Sequence, residues 1–424
     1  MKKIFLLILC MALLFGCVAC GVENAPAESN KEQSQVVTET SRELPKETVS
    51  PGAVETTKPE RDEILHLTEL ALQLAQRCEA NSEGKNMLVS PLSVFCALAM
   101  VSNGADDMEA VESFWNVENL ATLNSFISGY TAGLPQGEDY KLHVANSVWY
   151  TSHPRFTVNE DFLQTVADYY RGESYKTAFD ARTIEDINAW VEQNTDGMVK
   201  DILDELPGSA VMYLVNALAF EAEWQKTYDE HQVREGIFHG ANGKEQTVDM
   251  MSSEEHRYIE DENATGFIKL YTGGKYAFAA LLPCEGMTVE EYLTTLTGEG
   301  LLEMLANPAT TTVYAKLPAF ETEYKADLVG VLGGMGYPVT EPFNGVGTST
   351  SGDVMISRIL HKTYITVGPL GTKAGAATVI EMTDGRVEIE GEIKYVTLDR
   401  PFVYLLIDTE TNLPFFIGTV QNVG

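Results

Sequence analysis

Residues Gly371 to Thr378 read GTKAGAAT and lie between two extended runs, His361 to Val367 (HKTYITV) and Val396 to Leu406 (VTLDRPFVYLL). Small residues at alternate positions suit a strand that must slide between other strands, so the event they permit is the opening and filling of a sheet rather than the making of a bond. Four polar residues interrupt or border apolar runs: Ser90 and Ser93 in LVSPLSVFCALAM, Asn216 in VMYLVNALAF, and His361. Polar groups in such surroundings need partners, and leaving one unpaired costs about 1–3 kcal/mol. His361 reads as a satisfied core histidine, not as a base or ligand. Bond-making motifs are missing from the sequence: no HExxH, no P-loop and no G-x-S-x-G. Gly330 to Gly336 (GVLGGMG) lacks dinucleotide spacing and reads as a helix end. The pair in Cys17-Val-Ala-Cys20 has redox spacing but stands in an export-like segment. The expectation is no enzyme, no catalytic residue, no cofactor and no metal.

The elements that must position these residues follow from periodicity. Apolar residues at Ile64, Leu67, Leu70, Ala71 and Leu74 predict a helix over 61–77. Ser90 can cap a helix that starts with Pro91. Residues 142–150 read as a strand, and 159–170 and 183–203 as helices. The nearly continuous apolar run Val211 to Phe220 fits a buried central strand. Residues 266–271, 276–282, 310–317 and 353–367 add further strands, and 402–408 with 415–420 form a hairpin. Helices lead and strands follow, which predicts an α+β fold.

The ends carry other signals. Lys2 and Lys3 precede an unbroken apolar run, Ile4 to Phe15, suited to a signal peptide and short for a membrane span. Leu14-Phe15-Gly16-Cys17 resembles a lipobox, so Cys17 is the expected lipidation site, with Cys20 the alternative. A signal segment is expected over 1–20. Residues 21–60, rich in Pro, Ser, Thr and Glu, read as a disordered tether, because they bury too little apolar surface to offset ordering. Residues 61–424 read as one large domain. The formal net charge of -33 disfavours nucleic acid as a partner. Beyond the export segment, Cys78, Cys96 and Cys284 make no disulfide framework.

Several short motifs occur in a telling order. Asn86 with Ser90-Pro91-Leu92-Ser93, Val215-Asn216-Ala217 followed by Phe220 and Trp224, Tyr314 to Phe320 with Tyr324, His361-Lys362, and Asp399-Arg400-Pro401-Phe402 together resemble the serpin family across residues 61–420. The resemblance implies the serpin fold, helices plus three β-sheets with an exposed reactive-centre loop. It also implies a serine protease inhibitor that acts as a suicide substrate. Serine or possibly cysteine proteases become the expected partners, trapped covalently by a monomeric inhibitor. An anchored product would sit on the outer face of a bacterial membrane, or be secreted. The alternative within the fold is a non-inhibitory serpin, cleaved as a substrate or serving as a binding module.

The resemblance assigns roles to the residues above. Gly371, Thr372, Ala374, Ala376 and Thr378 resemble the hinge of the reactive loop. Ser90, Ser93, Asn216 and His361 resemble the shutter cluster, and Trp224 the breach. By the resemblance the bait bond would fall within Asp384, Gly385, Arg386 and Val387, with Arg386 the nearest specificity residue: a cut after Arg386 implies trypsin-like targets, and one after Gly385 implies small-pocket proteases of the elastase or subtilisin type. As a strand, Thr372, Ala374, Ala376, Thr378, Ile380 and Met382 would share one uncharged face. Lys373 and Glu381 would fall on the other. Insertion, with about a dozen backbone hydrogen bonds and burial of Ile380 and Met382, is worth on the order of ten to twenty kcal/mol. The active state must then be held out kinetically. The chain departs from the family at Pro369 and Leu370, where acidic residues are usual. Lys373 stands in place of an acidic residue and Gly375 in place of alanine. These departures bear on the speed of insertion.

Overall fold

A computed structural model describes residues 44, 46–47, 49–372 and 392–423. Three sheets organise this region. The strand Tyr276–Pro283 is buried at every residue, as is Phe402–Asp408 beside it. Runs apolar on both faces belong in a sheet interior. They centre a nine-stranded sheet that also contains Val233–His239, Glu245–Glu260, Ala264–Leu270, Ala309–Pro318, Lys394–Thr397, Pro414–Val420 and Met87–Val89. A two-stranded sheet pairs Phe156–Val158 with Gly347–Ser349.

The third sheet carries the segment of interest. Its order is Lys46–Glu47, Glu173–Thr177, Tyr140–Thr151, Met212–Glu223, Gly371–Thr372, Leu360–Gly368, Phe320–Asp327. Glu173–Thr177 and Tyr140–Thr151 run parallel, and all other neighbours are antiparallel. Helix Pro91–Ser102 starts as its sequence dictates. The Ser90 hydroxyl accepts the Ser93 N–H at 3.3 Å and Pro91 occupies the first turn. This helix is buried on almost every side and packs against Met212–Glu223.

Three expectations need correction. The helix expected over 183–203 is Ala181–Asn194. Asp196 and Gly197 take positive φ there, and the Thr195 hydroxyl accepts the Val199 N–H at 3.0 Å, which ends the helix and starts an irregular connection. The strand expected over 353–367 begins only at Leu360. Its first part spends its backbone groups on loop contacts, such as Val354 N–H to Asn344 and Ile359 N–H to Asp327. The tether expected over 21–60 does not extend to residue 60. Lys46–Glu47 pairs with Ser174 and Tyr175 at the sheet edge, the Gly52 N–H reaches Asp168 at 2.6 Å, and Gln164 donates to the Ser50 carbonyl at 3.0 Å. Composition does not reveal this, because backbone pairing to a sheet edge needs no apolar side chains.

Candidate functional site

The strand pair Met212–Glu223 and Leu360–Gly368 frames the site. Each is fully paired on its outer side. Among the described residues, the strand that pairs with them on the facing side is the short Gly371–Thr372, with Glu223 and Ala222 on one flank and Gly368 and Val367 on the other. Below that wedge the two strands are not hydrogen-bonded to each other. A cavity of about 390 Å³ lies there, with Ser93, Asn216, Leu218, His361 and Thr363 in its lining. Among the described residues, the main sheet therefore contains a slot whose upper end is filled by Gly371 and Thr372.

Gly371 and Thr372 are each held by close contacts. Any other residue at position 371 would place a Cβ 2.1 Å from the Ala222 carbonyl oxygen, so only glycine fits. Thr372 is 1% exposed, and its Oγ1 lies 2.5 Å from the buried Tyr271 hydroxyl. Pro369 and Leu370 form the turn that joins Leu360–Gly368 to the wedge. Proline's missing N–H is thus not needed by the ladder, and the Pro369 carbonyl accepts the Tyr228 N–H at 3.0 Å.

Trp224 closes the top of the slot. Its indole N–H donates to the Gly368 carbonyl at 2.8 Å and its backbone N–H to the Leu370 carbonyl at 2.9 Å. Its ring stacks on Tyr271, with centroids 4.5 Å apart and planes 8° apart. Lys269, only 2% exposed, sits 4.5 Å from the Tyr228 ring centroid and 5.5 Å from that of Trp224, and its charge is met by Glu255 at 2.7 Å.

Lower down, His361 and Ser90 meet across 271 positions of sequence: the His361 Nε2 accepts the Ser90 backbone N–H at 3.1 Å. Desolvation lowers the His361 pKa to about 4, so the ring is neutral at pH 7. The Ser90 hydroxyl donates to the Phe415 carbonyl at 2.9 Å. Asn216 belongs to a separate arm of this cluster. It donates to the Asn146 side-chain oxygen at 2.8 Å, and its own side-chain oxygen is buried with no hydrogen-bond partner. The slot thus separates Asn216 from the pair formed by Ser90 and His361, and Ser93 lines the cavity between them.

Tyr271, Asn146, Lys269 and Thr363 were not anticipated. Thr363 donates to the Leu88 carbonyl at 2.7 Å. A signal existed for Asn146, a polar residue within a run otherwise suited to a buried strand. For Tyr271 none did, since its role depends on which residue it meets. Cys17, Cys20, Ala374, Ala376, Thr378, Asp384, Gly385, Arg386 and Val387 lie outside the described residues. Among the described residues no helix is long and apolar enough to cross a membrane, and no His, Cys, Asp and Glu cluster could hold a metal ion.

The family model for Serpin (serine protease inhibitor) matches residues 65–423. The chain is a serpin. A crystal structure of tengpin, a thermophilic serpin in its native state, matches with a TM-score of 0.82 and 39% identity, covering 88% of this chain and 98% of that one. An uncharacterised serpin-like protein of Thermococcus kodakarensis is 28% identical over 81% of this chain and 82% of its own length. Serine proteinase inhibitor A3K of Cavia porcellus is 29% identical over 80% of this serpin and 84% of its own length. The serpin fold is therefore established, with helices and three sheets. The bare expectation of no enzyme is corrected to a narrower statement: relatives of this serpin carry the names of proteinase inhibitors, and the family targets proteases.

Proposed function

We propose that this serpin is a suicide-substrate inhibitor of serine proteases, exported and anchored through Cys17 to the outer face of a cell membrane, and active as a monomer. The observation that carries the reading is the wedge Gly371–Thr372 seated above a slot whose two flanking strands, among the described residues, are not hydrogen-bonded to each other.

Register makes the reading specific. Thr372 faces Ala222 and Val367. Carried on residue by residue in the same antiparallel sense, that register would bring Thr378 between Asn216 and His361, and Met382 opposite Met212, where the slot ends. The inward set would be Thr372, Ala374, Ala376, Thr378, Ile380 and Met382. The unpaired Asn216 oxygen would then face a hydroxyl donor.

The chemistry belongs to the target. Its serine oxygen attacks the carbonyl carbon of the bait residue, for which Arg386 is the best candidate. The peptide bond to Val387 breaks, the Val387 nitrogen takes a proton and leaves, and an ester joins the serpin to the protease. The freed hinge side then fills the slot and carries the acyl-enzyme with it, distorting the protease before water reaches the ester.

Incubation with trypsin, pancreatic elastase and subtilisin tests this. A serpin–protease complex that survives denaturing electrophoresis, with a new C-terminus at 384–387 by mass spectrometry, is the expected result. Clean cleavage without any complex would reject inhibition in favour of a substrate or binding role.

A further inference from the structure

The strand Lys394–Thr397 is the first described element after the bait segment, and it forms the edge of the nine-stranded sheet. It carries Tyr395, which is 72% exposed. Tyr395 is the register partner of Tyr314 on the parallel neighbouring strand, and the two rings lie 5.5 Å apart at 34°. Tyr314 and the preceding Ile393 are also exposed, at 42% and 48%. The other large apolar side chains exposed among the described residues, Met108, Ile237 and Met355, lie on other elements. Tyr395, Tyr314 and Ile393 thus bring three of the six exposed large apolar side chains of the described residues onto two neighbouring segments.

The strand that carries Tyr395 is tied to its neighbour. Thr311 donates to the Glu392 carbonyl at 2.7 Å, fixing the start of the strand. Lys394 turns away from the patch, with its Nζ 5.2 Å from the Tyr258 ring centroid and 3.2 Å from Glu392. Exposed Glu254, the register partner of Tyr314, borders the rings with negative charge. Tyrosine offers large contact area with two side-chain torsions to immobilise, and is enriched among residues that dominate binding energy.

We propose that Tyr395, Tyr314 and Ile393 form a second docking surface for the target protease, contacting the rim of its cleft while the bait occupies it. This rests on the bait assignment above. Chain continuity supports it: from Arg386 to Tyr395 the chain spans at most about 30 Å fully extended. A protease domain of about 220 residues has a radius of gyration of about 17 Å. An enzyme engaged at 384–387 is thus within reach of this face. The matching protease surface is apolar with Lys or Arg nearby, able to pair with Glu254 and stack on the rings. The net charge of -33 adds long-range attraction for a basic enzyme.

The test uses the full chain and three inert probes: trypsin, pancreatic elastase and subtilisin, each with its nucleophilic serine replaced by alanine. Equilibrium binding is measured for the wild type, Tyr395→Ala and Tyr395→Phe, with the melting temperature as a folding control. A loss of about tenfold in affinity for at least one protease in Tyr395→Ala, recovered in Tyr395→Phe, supports the docking surface. Affinities unchanged within about twofold for all three overturn it. Active proteases run in parallel separate the two readings. Tyr395-dependent docking without a denaturation-resistant complex supports the surface and rejects trapping. A stable complex with Tyr395-independent docking keeps trapping and rejects the surface.

Discussion

The Thr372 hydroxyl lies 2.5 Å from the Tyr271 hydroxyl; both side chains are buried, and the Trp224 ring stacks on that of Tyr271. Thr372 is thus a core residue. On the proposed reading, this pairing would fix the direction in which insertion starts and which face of the segment turns inward.

Thr372→Arg is expected to convert inhibitor into substrate. A guanidinium in a site that is 1% exposed must be desolvated without a charge partner, which costs several kcal/mol. The stoichiometry of inhibition, measured by titrating active protease, should rise at least about tenfold, since each 1.4 kcal/mol is a factor of ten in partitioning. Unchanged stoichiometry would refute the inward facing.

Gly371→Ala should act at the same step from the backbone. The added Cβ meets the Ala222 carbonyl and the Glu223 Cα, neither of which can move cheaply. The wedge should be expelled, with a fall of about 1–3 kcal/mol in the stability gained when the loop is nicked. Melting curves of intact and nicked protein measure this directly.

Thr378→Val probes the far end of the register. If Thr378 comes between Asn216 and His361 after cleavage, valine leaves the Asn216 oxygen unsatisfied and lowers the melting temperature of nicked protein, by about 1–3 kcal/mol in stability. The intact protein should be little affected. Equal melting of nicked wild type and nicked Thr378→Val would displace the register.

His361 makes stability depend on pH. Its folded pKa, about 4, lies below the unfolded value near 6.5. Between these values the unfolded chain binds more protons, so stability is full above about pH 6.5 and falls as pH drops toward 4. The contribution lost over that window is about 3 kcal/mol. Acid titration of unfolding free energy for wild type and His361→Asn should differ in slope only within the window. Parallel curves would mean that the ring is not held neutral.

The segment 44–60 should stabilise the body without taking part in inhibition. A chain starting at residue 44 should melt like the full chain. One starting at 61 loses the pairing of Lys46–Glu47 and the Gly52–Asp168 hydrogen bond, for a cost of about 1–3 kcal/mol. Identical melting of the two truncations would show that these contacts contribute nothing.

Much of the architecture is legible locally. The cap at Ser90, the central strand at 212–223, the buried strand at 276–283, and the closing hairpin follow from periodicity and turn chemistry, which depend on neighbours a few residues away. The inward position of Thr372 agrees with its alternation. Segments whose conformation rests on side-chain-to-backbone bonds, at Thr195 and Asn344, escape such reading because the same residue types also occur in regular elements.

By itself the sequence determined the kinds of element present, the small and uncharged character of the hinge face, and the polar residues that needed partners. Only the tertiary structure decided who those partners are: His361 with Ser90, Asn216 with Asn146, Thr372 with Tyr271. It alone decided that, among the described residues, two central strands are not hydrogen-bonded to each other beneath a two-residue wedge. The reason is physical. Strand pairing and burial join residues far apart in the chain, and a one-dimensional pattern specifies which face is buried but not which strand lies beside it.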